Sequence, residues 1–200
     1  MDNGIPSSVG RVNFRVTSHL AARVGSINLK WNDDWTPARE GDRFRHAMKT
    51  AAYDFIDVAF EVVRSWLPAR QLVLSMMQSH KDNIGFLPVP CPWKRHLNSL
   101  EAQHPELAGA VRFVVFQNDP KDTWYVQSVP DESDDGQARK SRMRIRFPPH
   151  TRGLSDAALC KAIGLEDCRF VHASGHIGAS KTLEGAYAMA RVALKENWTS

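Results

Sequence analysis

The sequence predicts an α+β (mixed α/β) fold, with a long N-terminal helix packed on a mixed sheet of about four to five strands and short helices between them. Three observations predict it. Apolar residues recur every three to four positions from Phe44 to Val63, the period of one helix face. Beyond Ile84 the period shortens to runs of β-branched and aromatic residues bounded by turn residues. Of the 200 residues, 42 % are hydrophobic and 24 % charged, which suits one domain with an appended arm and excludes a disordered chain, a collagen-like chain and a coiled-coil rod.

Each element follows in order. Gly4, Pro6, Ser7, Ser8 and Gly10 open as a loop, and residues 14–24 can form a short helix. Trp31-Asn-Asp-Asp-Trp35-Thr-Pro37 is a turn-rich break. Phe14, Trp31 and Trp35 sit in no continuous periodic pattern, so residues 1–37 are expected to be a connector that packs on another surface, with the α/β domain spanning 38–200. From Arg39 the helical period carries Phe44, Met48, Phe55, Phe60 and Val63 until Pro68 ends or kinks it, and Leu72, Val73, Met76 and Met77 continue it. Residues 84–89 predict a strand, 93–102 a short helix, and 111–116 and 123–129 two strands joined by a hairpin loop at 118–122. After a polar loop at 131–140, residues 142–147 alternate basic and apolar. A strand there would put Arg142, Arg144 and Arg146 on one face and Met143, Ile145 and Phe147 on the core side. Ser155 caps a helix that stops at Gly164, residues 169–173 make a last strand, a glycine-spaced turn follows, and 183–194 close the chain as a helix.

Charge and cysteine usage narrow the setting. A net charge of +4 and a pI near 9.1 permit a polyanionic partner. Cys91, Cys160 and Cys168 are sparse, odd in number and in no CxxC pair, which disfavours a disulfide framework or a zinc ribbon and points to a reducing compartment. No apolar run approaches the roughly 18–20 residues of a membrane helix, and nothing after Met1 resembles a leader peptide. No membrane partner is expected.

The sharpest local signal is His172-Ala-Ser-Gly-His-Ile-Gly-Ala-Ser-Lys-Thr182, between a strand and a helix. Small residues there would let a ligand reach backbone amides, and the opening of a helix favours negative charge. His172, Ser174, Gly175, His176, Gly178, Ser180, Lys181 and Thr182 are therefore candidates for binding phosphate. The competing reading is that the glycines only shape a tight turn. The stretch nearly spells a nucleotide-binding P-loop, but Ser180 stands where its second glycine is required and the sheet context is missing. The basic run offers Arg142, Arg144 and Arg146, with Lys94, as contacts for a nucleic-acid backbone. A solvated edge strand protected by its charge explains the same run. Cys91 and His96 suggest a nucleophile and base or half of a metal site, but no third group accompanies them; Cys91 between Pro90 and Pro92 reads equally as a packed turn residue, and Trp93 as a buried anchor. No HExxH, G-x-S-x-G or other set with metal-ligand spacing occurs, so no catalytic residue and no metal site is assigned.

Ser65-Trp-Leu-Pro-Ala-Arg70, Cys91-Pro-Trp-Lys94-x-His96-Leu97, Arg152-Gly-Leu154, Phe170-Val-His-Ala-Ser-Gly175-x-Ile-Gly178 and Thr182-x-Glu184-Gly185-Ala186 together resemble the Myg family, over the whole chain and in order. Its members often carry the label metal-dependent protein hydrolase. They are related to the DHH phosphoesterase superfamily and are regarded as 3′-to-5′ RNA exonucleases. The resemblance implies a two-domain protein whose N-terminal domain holds a divalent metal, manganese or magnesium, through His/Asp motifs that this chain lacks. The chain then corresponds to the C-terminal, substrate-binding half and starts inside the family's length, with Asp2-Asn-Gly-Ile5 in the linker. It implies residues 172–181 as the substrate-binding turn, with Ala173 and Ser174 where more glycine is usual. The expected partners are RNA or another phosphodiester and the protein's own N-terminal catalytic domain, and a homodimer is compatible with the sequence. The setting is intracellular, in mitochondrion or nucleus. The chain alone is expected to bind substrate and to be inactive, with no cofactor of its own. An interaction module that binds a protein partner or the missing half is the alternative.

Overall fold

The computed structural model describes residues 18–119, 123–131 and 143–196. By internal packing the chain divides into two units, Met1–Ser65 and Trp66–Ser200.

In the first unit, α1 (Leu20–Ile27) begins where the His19 ring accepts the Ala22 N–H. Helix α2 (Pro37–Glu61) begins with Thr36 accepting the Arg39 N–H, proline in its first turn and Glu40 on the positive end of its dipole. Arg23 of α1 grips Asp54 of α2 with two bonds of 2.5 and 2.9 Å. Neither helix has a buried residue. Phe14, and with it most of the short helix expected at 14–24, lies outside the described residues.

Helical backbone continues past Glu61 through a π-helical turn, Val62–Trp66, into α3 (Leu67–Ser79). Pro68 explains the widened turn: it has no N–H to give the carbonyl four residues back, and its ring crowds that carbonyl. The long helix expected from Arg39 is thus present over residues 37–79, and α3 is the part that packs, burying Ala69, Val73, Met76 and Met77.

In the second unit, β1 (Ile84–Leu87), β2 (Phe113–Asp119), β3 (Thr123–Ser128), β4 (Cys168–Val171) and β5 (Ile177–Ser180) form a sheet ordered β1-β2-β3-β5-β4. Only β1 and β2 are parallel. Their crossover carries α4 (Trp93–Gln103), as parallel neighbours require. Period-2 alternation divides the core between the faces. Ile84, Phe113, Val115 and Val126 join Met189 and Ala190 of α6 (Leu183–Lys195) and Leu159 of α5 (Asp156–Ile163). Leu87 and Val114 join α3 and Trp93, Leu97 and Leu100 of α4. Burial on both faces is why residues 111–116 read as a continuous apolar run. Gly164 ends α5 in the left-handed region, as expected of a glycine stop.

Two expectations are corrected. Residues 143–147 do not form a strand: Met143 makes one isolated bridge with Pro130, and Arg142 lies outside the described residues. Ile145 and Phe147 are buried as the alternation predicted, but Arg144 turns inward rather than joining a solvent face. The glycine-spaced stretch is not one turn leading to the last helix, because residues 177–180 are β5, inserted between β3 and β4. Gly178 serves packing there. A Cβ on it would lie 3.0 Å from Met189 Cε and 3.1 Å from Phe147 Cζ.

Candidate anion-binding site

The β4–β5 connection is a tight hairpin, closed by the His172 N–H donating to Ile177 O at 2.9 Å and the Gly175 N–H donating to His172 O at 2.8 Å. Gly175 has φ of 71°, and a Cβ on it would lie 2.6 Å from Arg152 Nε. Both the backbone angle and the approach of Arg152 therefore call for glycine. The surroundings hold the turn from several sides. The Phe147 N–H donates to Gly175 O and the Ser128 N–H to His176 O, each at 2.9 Å. Arg146 Nη1 donates to Ser174 O at 2.7 Å.

Three side chains meet on this turn. Ser174 Oγ lies 2.8 Å from His172 Nδ1 and 2.5 Å from His176 Nδ1, and the two rings meet edge-on with centroids 4.9 Å apart. The Ser174 N–H also donates to His172 Nδ1 at 3.2 Å, so that nitrogen is the unprotonated one. The serine hydroxyl has one proton, so His176 Nδ1–H must donate to Oγ, leaving His176 Nε2 with the lone pair. Burial lowers the pKa of His176, and the neighbouring His172, Lys94 and Arg146 lower it further. Lys94 is itself held below its usual value by burial. The guanidinium of Arg152 is lowered by burial and then by Arg146. Positive charge thus opposes protonation of His176 and weakens proton binding at Arg152, and this is an environment in which an anion is stabilising.

The structure brings His172, Ser174, Gly175 and His176 together with Arg146, and the charge of Lys94 is near enough to act on His176. It does not bring the rest of the sequence-predicted set to the same place. Ser180, Lys181 and Thr182 lie at the other end of β5, roughly 13 Å away at the usual rise of a strand. There Ser180 Oγ and the Lys181 N–H both donate to Asp167 O, at 2.9 and 2.7 Å. Thr182 Oγ1 accepts the Gly185 N–H at 3.1 Å, so it caps α6. Arg144 places Nη1 2.7 Å from Glu101 Oε1 and 3.0 Å from Val111 O, and its Nη2 pairs with Glu101 Oε2. Sequence reasoning gave no site role to Arg152. Its one signal was its place in the Arg152-Gly-Leu154 motif, 23 residues before Gly175.

Cys91 and His96 do not make a nucleophile pair. His96 is fully buried, its Nε2 2.7 Å from Trp66 O and its ring 4.1 Å from the Trp66 ring. Burial raises the Cys91 pKa, which favours the thiol over the reactive thiolate. Trp93 is buried, as expected of an anchor. Among the described residues, no three His, Cys, Asp or Glu side chains are grouped so as to hold a metal ion.

Fold and site together define a sheet domain, helical on both faces, with a histidine- and arginine-lined turn at one sheet end. Comparison with known proteins places it. Residues 1–194 match the MYG1_exonuc family, described as "Uncharacterised protein family (UPF0160)", and the chain belongs to that family. It is 36 % identical over 204 residues to the MYG1 exonuclease of Mus musculus, covering 98 % of this chain and 51 % of that protein. It is 35 % identical over 204 residues to the MYG1 exonuclease of Homo sapiens, covering 98 % and 52 %. With the MYG1 protein of Dictyostelium discoideum it is 33 % identical over 205 residues, covering 98 % and 60 %. The chain therefore spans about half the length of the curated relatives it matches. No solved structure matches it. Among the described residues, no helix is long and apolar enough to cross a membrane.

Proposed function

We propose that this chain is the C-terminal, substrate-binding part of a metal-dependent phosphodiesterase of the DHH superfamily that degrades RNA from its 3′ end. The observation that carries the reading is the convergence of His172, Ser174, His176 and Arg146 on one hairpin turn, with the charge of Lys94 felt at His176. The names of the mouse and human relatives as exonucleases support the same chemistry. In this reading Lys94 and Arg146 supply charge to a phosphate of the RNA. When the His176 ring is protonated its Nε2–H would donate to the same phosphate. The described residues do not fit a divalent ion, since no three suitable ligands converge. Manganese or magnesium would be held by the part of the family's length that this chain does not span, and no catalytic step is assigned to residues here. The resemblance sets the work in mitochondrion or nucleus. The exposed apolar face of α2 favours a second role, as a surface for a protein partner.

The test is a titration with a single-stranded oligoribonucleotide at several salt concentrations. Replacing Lys94 and Arg146 by alanine should weaken binding and reduce the log–log salt slope by about 0.7 for each phosphate no longer neutralised. Lys161→Ala on α5 should change neither. Equal affinity and slope in the double variant would overturn the reading. The chain alone should leave the RNA intact with manganese or magnesium present, and cleavage abolished by a chelator would overturn that expectation.

A further inference from the structure

A row of aromatic rings crosses the sheet of the second unit and ends at the histidine turn. Phe116 of β2 stands opposite Tyr125 of β3, and Tyr125 and Phe170 of β4 both stand opposite Ala179 of the intervening β5. The rings meet in that order: the centroids of Phe116 and Tyr125 are 5.8 Å apart and those of Tyr125 and Phe170 6.5 Å. Ala179 is small enough to let the last two meet over it. Val126 and Val171 point into the core that α5 and α6 cover, so by alternation Tyr125 and Phe170 lie on the opposite face. On that face α3 and α4 pack over Leu87 and Val114, at the β1–β2 end of the sheet. Tyr125 and Phe170 belong to neither core and stay half-buried.

We propose that this row is a stacking platform for a base of single-stranded RNA, the base of the nucleotide whose phosphate occupies the turn. The proposal rests on the phosphate reading of the turn and adds to it what receives the base. Two features select a nucleotide. First, the platform is apolar and aromatic while its end is cationic, through Arg146 at the turn and the charge of Lys94. That matches a ligand with a flat ring at one end and an anion at the other, and aromatic side chains stack on any base. Second, the spacing fits. The His172 N–H donates to Ile177 O, so strand pairing continues past Phe170 to His172, two residues or about 7 Å further on. A ribose bridges a phosphate and its own base over such a span. Gln127, paired with Ile177 in the row between rings and turn, offers an amide to the edge of the base.

NMR titrations of the full 200-residue chain test the proposal with three probes: adenosine 5′-monophosphate, adenosine and ribose 5-phosphate. The monophosphate should shift the ring signals of Tyr125 and Phe170 together with the amides of Ser174 and His176. Adenosine should shift only the rings, and ribose 5-phosphate only the turn. Tyr125→Leu and Phe170→Leu keep an apolar side chain on the sheet. Each should weaken binding of the monophosphate at least about fivefold and leave that of ribose 5-phosphate unchanged. A role confined to packing would not separate two probes that carry the same phosphate. Equal affinity for the monophosphate and ribose 5-phosphate, with the rings unmoved, would overturn the platform and leave the phosphate reading standing. Rings shifted by adenosine and its monophosphate, with the turn unmoved, would overturn the phosphate reading and keep the platform. No response to any probe would overturn both.

Discussion

The helical hairpin of the first unit and the sheet of the second are written in equally regular patterns, yet they end in opposite environments. Phe55 on α2 is 73 % exposed, whereas Phe113 on β2 is fully buried with its ring 5.3 Å from that of Phe147. The difference is in the number of partners. Strand β2 meets neighbours on both edges and helices on both faces. Among the described residues of its own unit, helix α2 has one short helix, α1, beside it. Periodicity specifies that a face will be covered, and it does not say by what.

The largest expected effect sets these two phenylalanines against each other. Phe113→Ala should destabilise the chain by about 3–5 kcal/mol in urea unfolding, through reduced burial and the cavity left behind. Phe55→Ala should cost less than about 1 kcal/mol. Equal losses would mean that α2 is already packed within its own chain.

A buried charge sharpens the contrast further. Glu101 and Arg144 have side chains only 5 % and 14 % exposed, and Glu101 also accepts the Gly109 N–H at 3.0 Å. Arg144→Ala leaves the carboxylate buried without its cation and should cost about 3–5 kcal/mol. The exposed pair of Arg45 and Asp42 on α2, 65 % and 73 % exposed, should be worth at most about 1 kcal/mol when Arg45 is replaced. If Arg144→Ala is as mild, Arg144 faces solvent after all and belongs with the nucleic-acid contacts.

The smallest effect concerns pH. His176 binds its proton more weakly in the folded chain than in the unfolded one, because of burial and then of His172, Lys94 and Arg146. The unfolded state therefore takes up more protons as pH falls through the ordinary histidine value near 6.5. The associated stability is present above that value and is lost on acidification below it. The melting temperature should fall on acidification, and His176→Asn should flatten part of that fall. Sulfate, which stays a dianion in this range, should bind the turn more tightly as pH drops, because the protonated ring faces it. Identical melting profiles for the variant and the parent would show that His176 does not titrate as its surroundings require.

Much of the fold was legible in local chemistry. The helix from Arg39, the strands at β1, β2 and β3, the Gly164 stop of α5, and the Thr182-capped closing helix are all set by period, propensity and caps within a few residues, whereas α5 begins after Ser155 without the capping bond expected from its hydroxyl. The candidate site was legible only in part. His172, Ser174, Gly175 and His176 stand close in sequence, so their clustering was visible. Two long-range events were hidden. Residues 177–180 could read as more turn because Gly178 and Ala179 are small, and only the pairing of β5 with β3 and β4 made them a central strand, separating Lys181 and Thr182 from the histidines. Residues 142–147 alternated like a strand, and Glu101, 43 residues before Arg144, drew one arginine inward and left Arg146 at the turn. The sequence by itself determined where helices and strands begin, because hydrogen bonding and side-chain period act over a few residues. Only the tertiary structure decided which basic groups face the turn and which faces are left bare, because burial and charge pairing depend on what distant segments bring alongside.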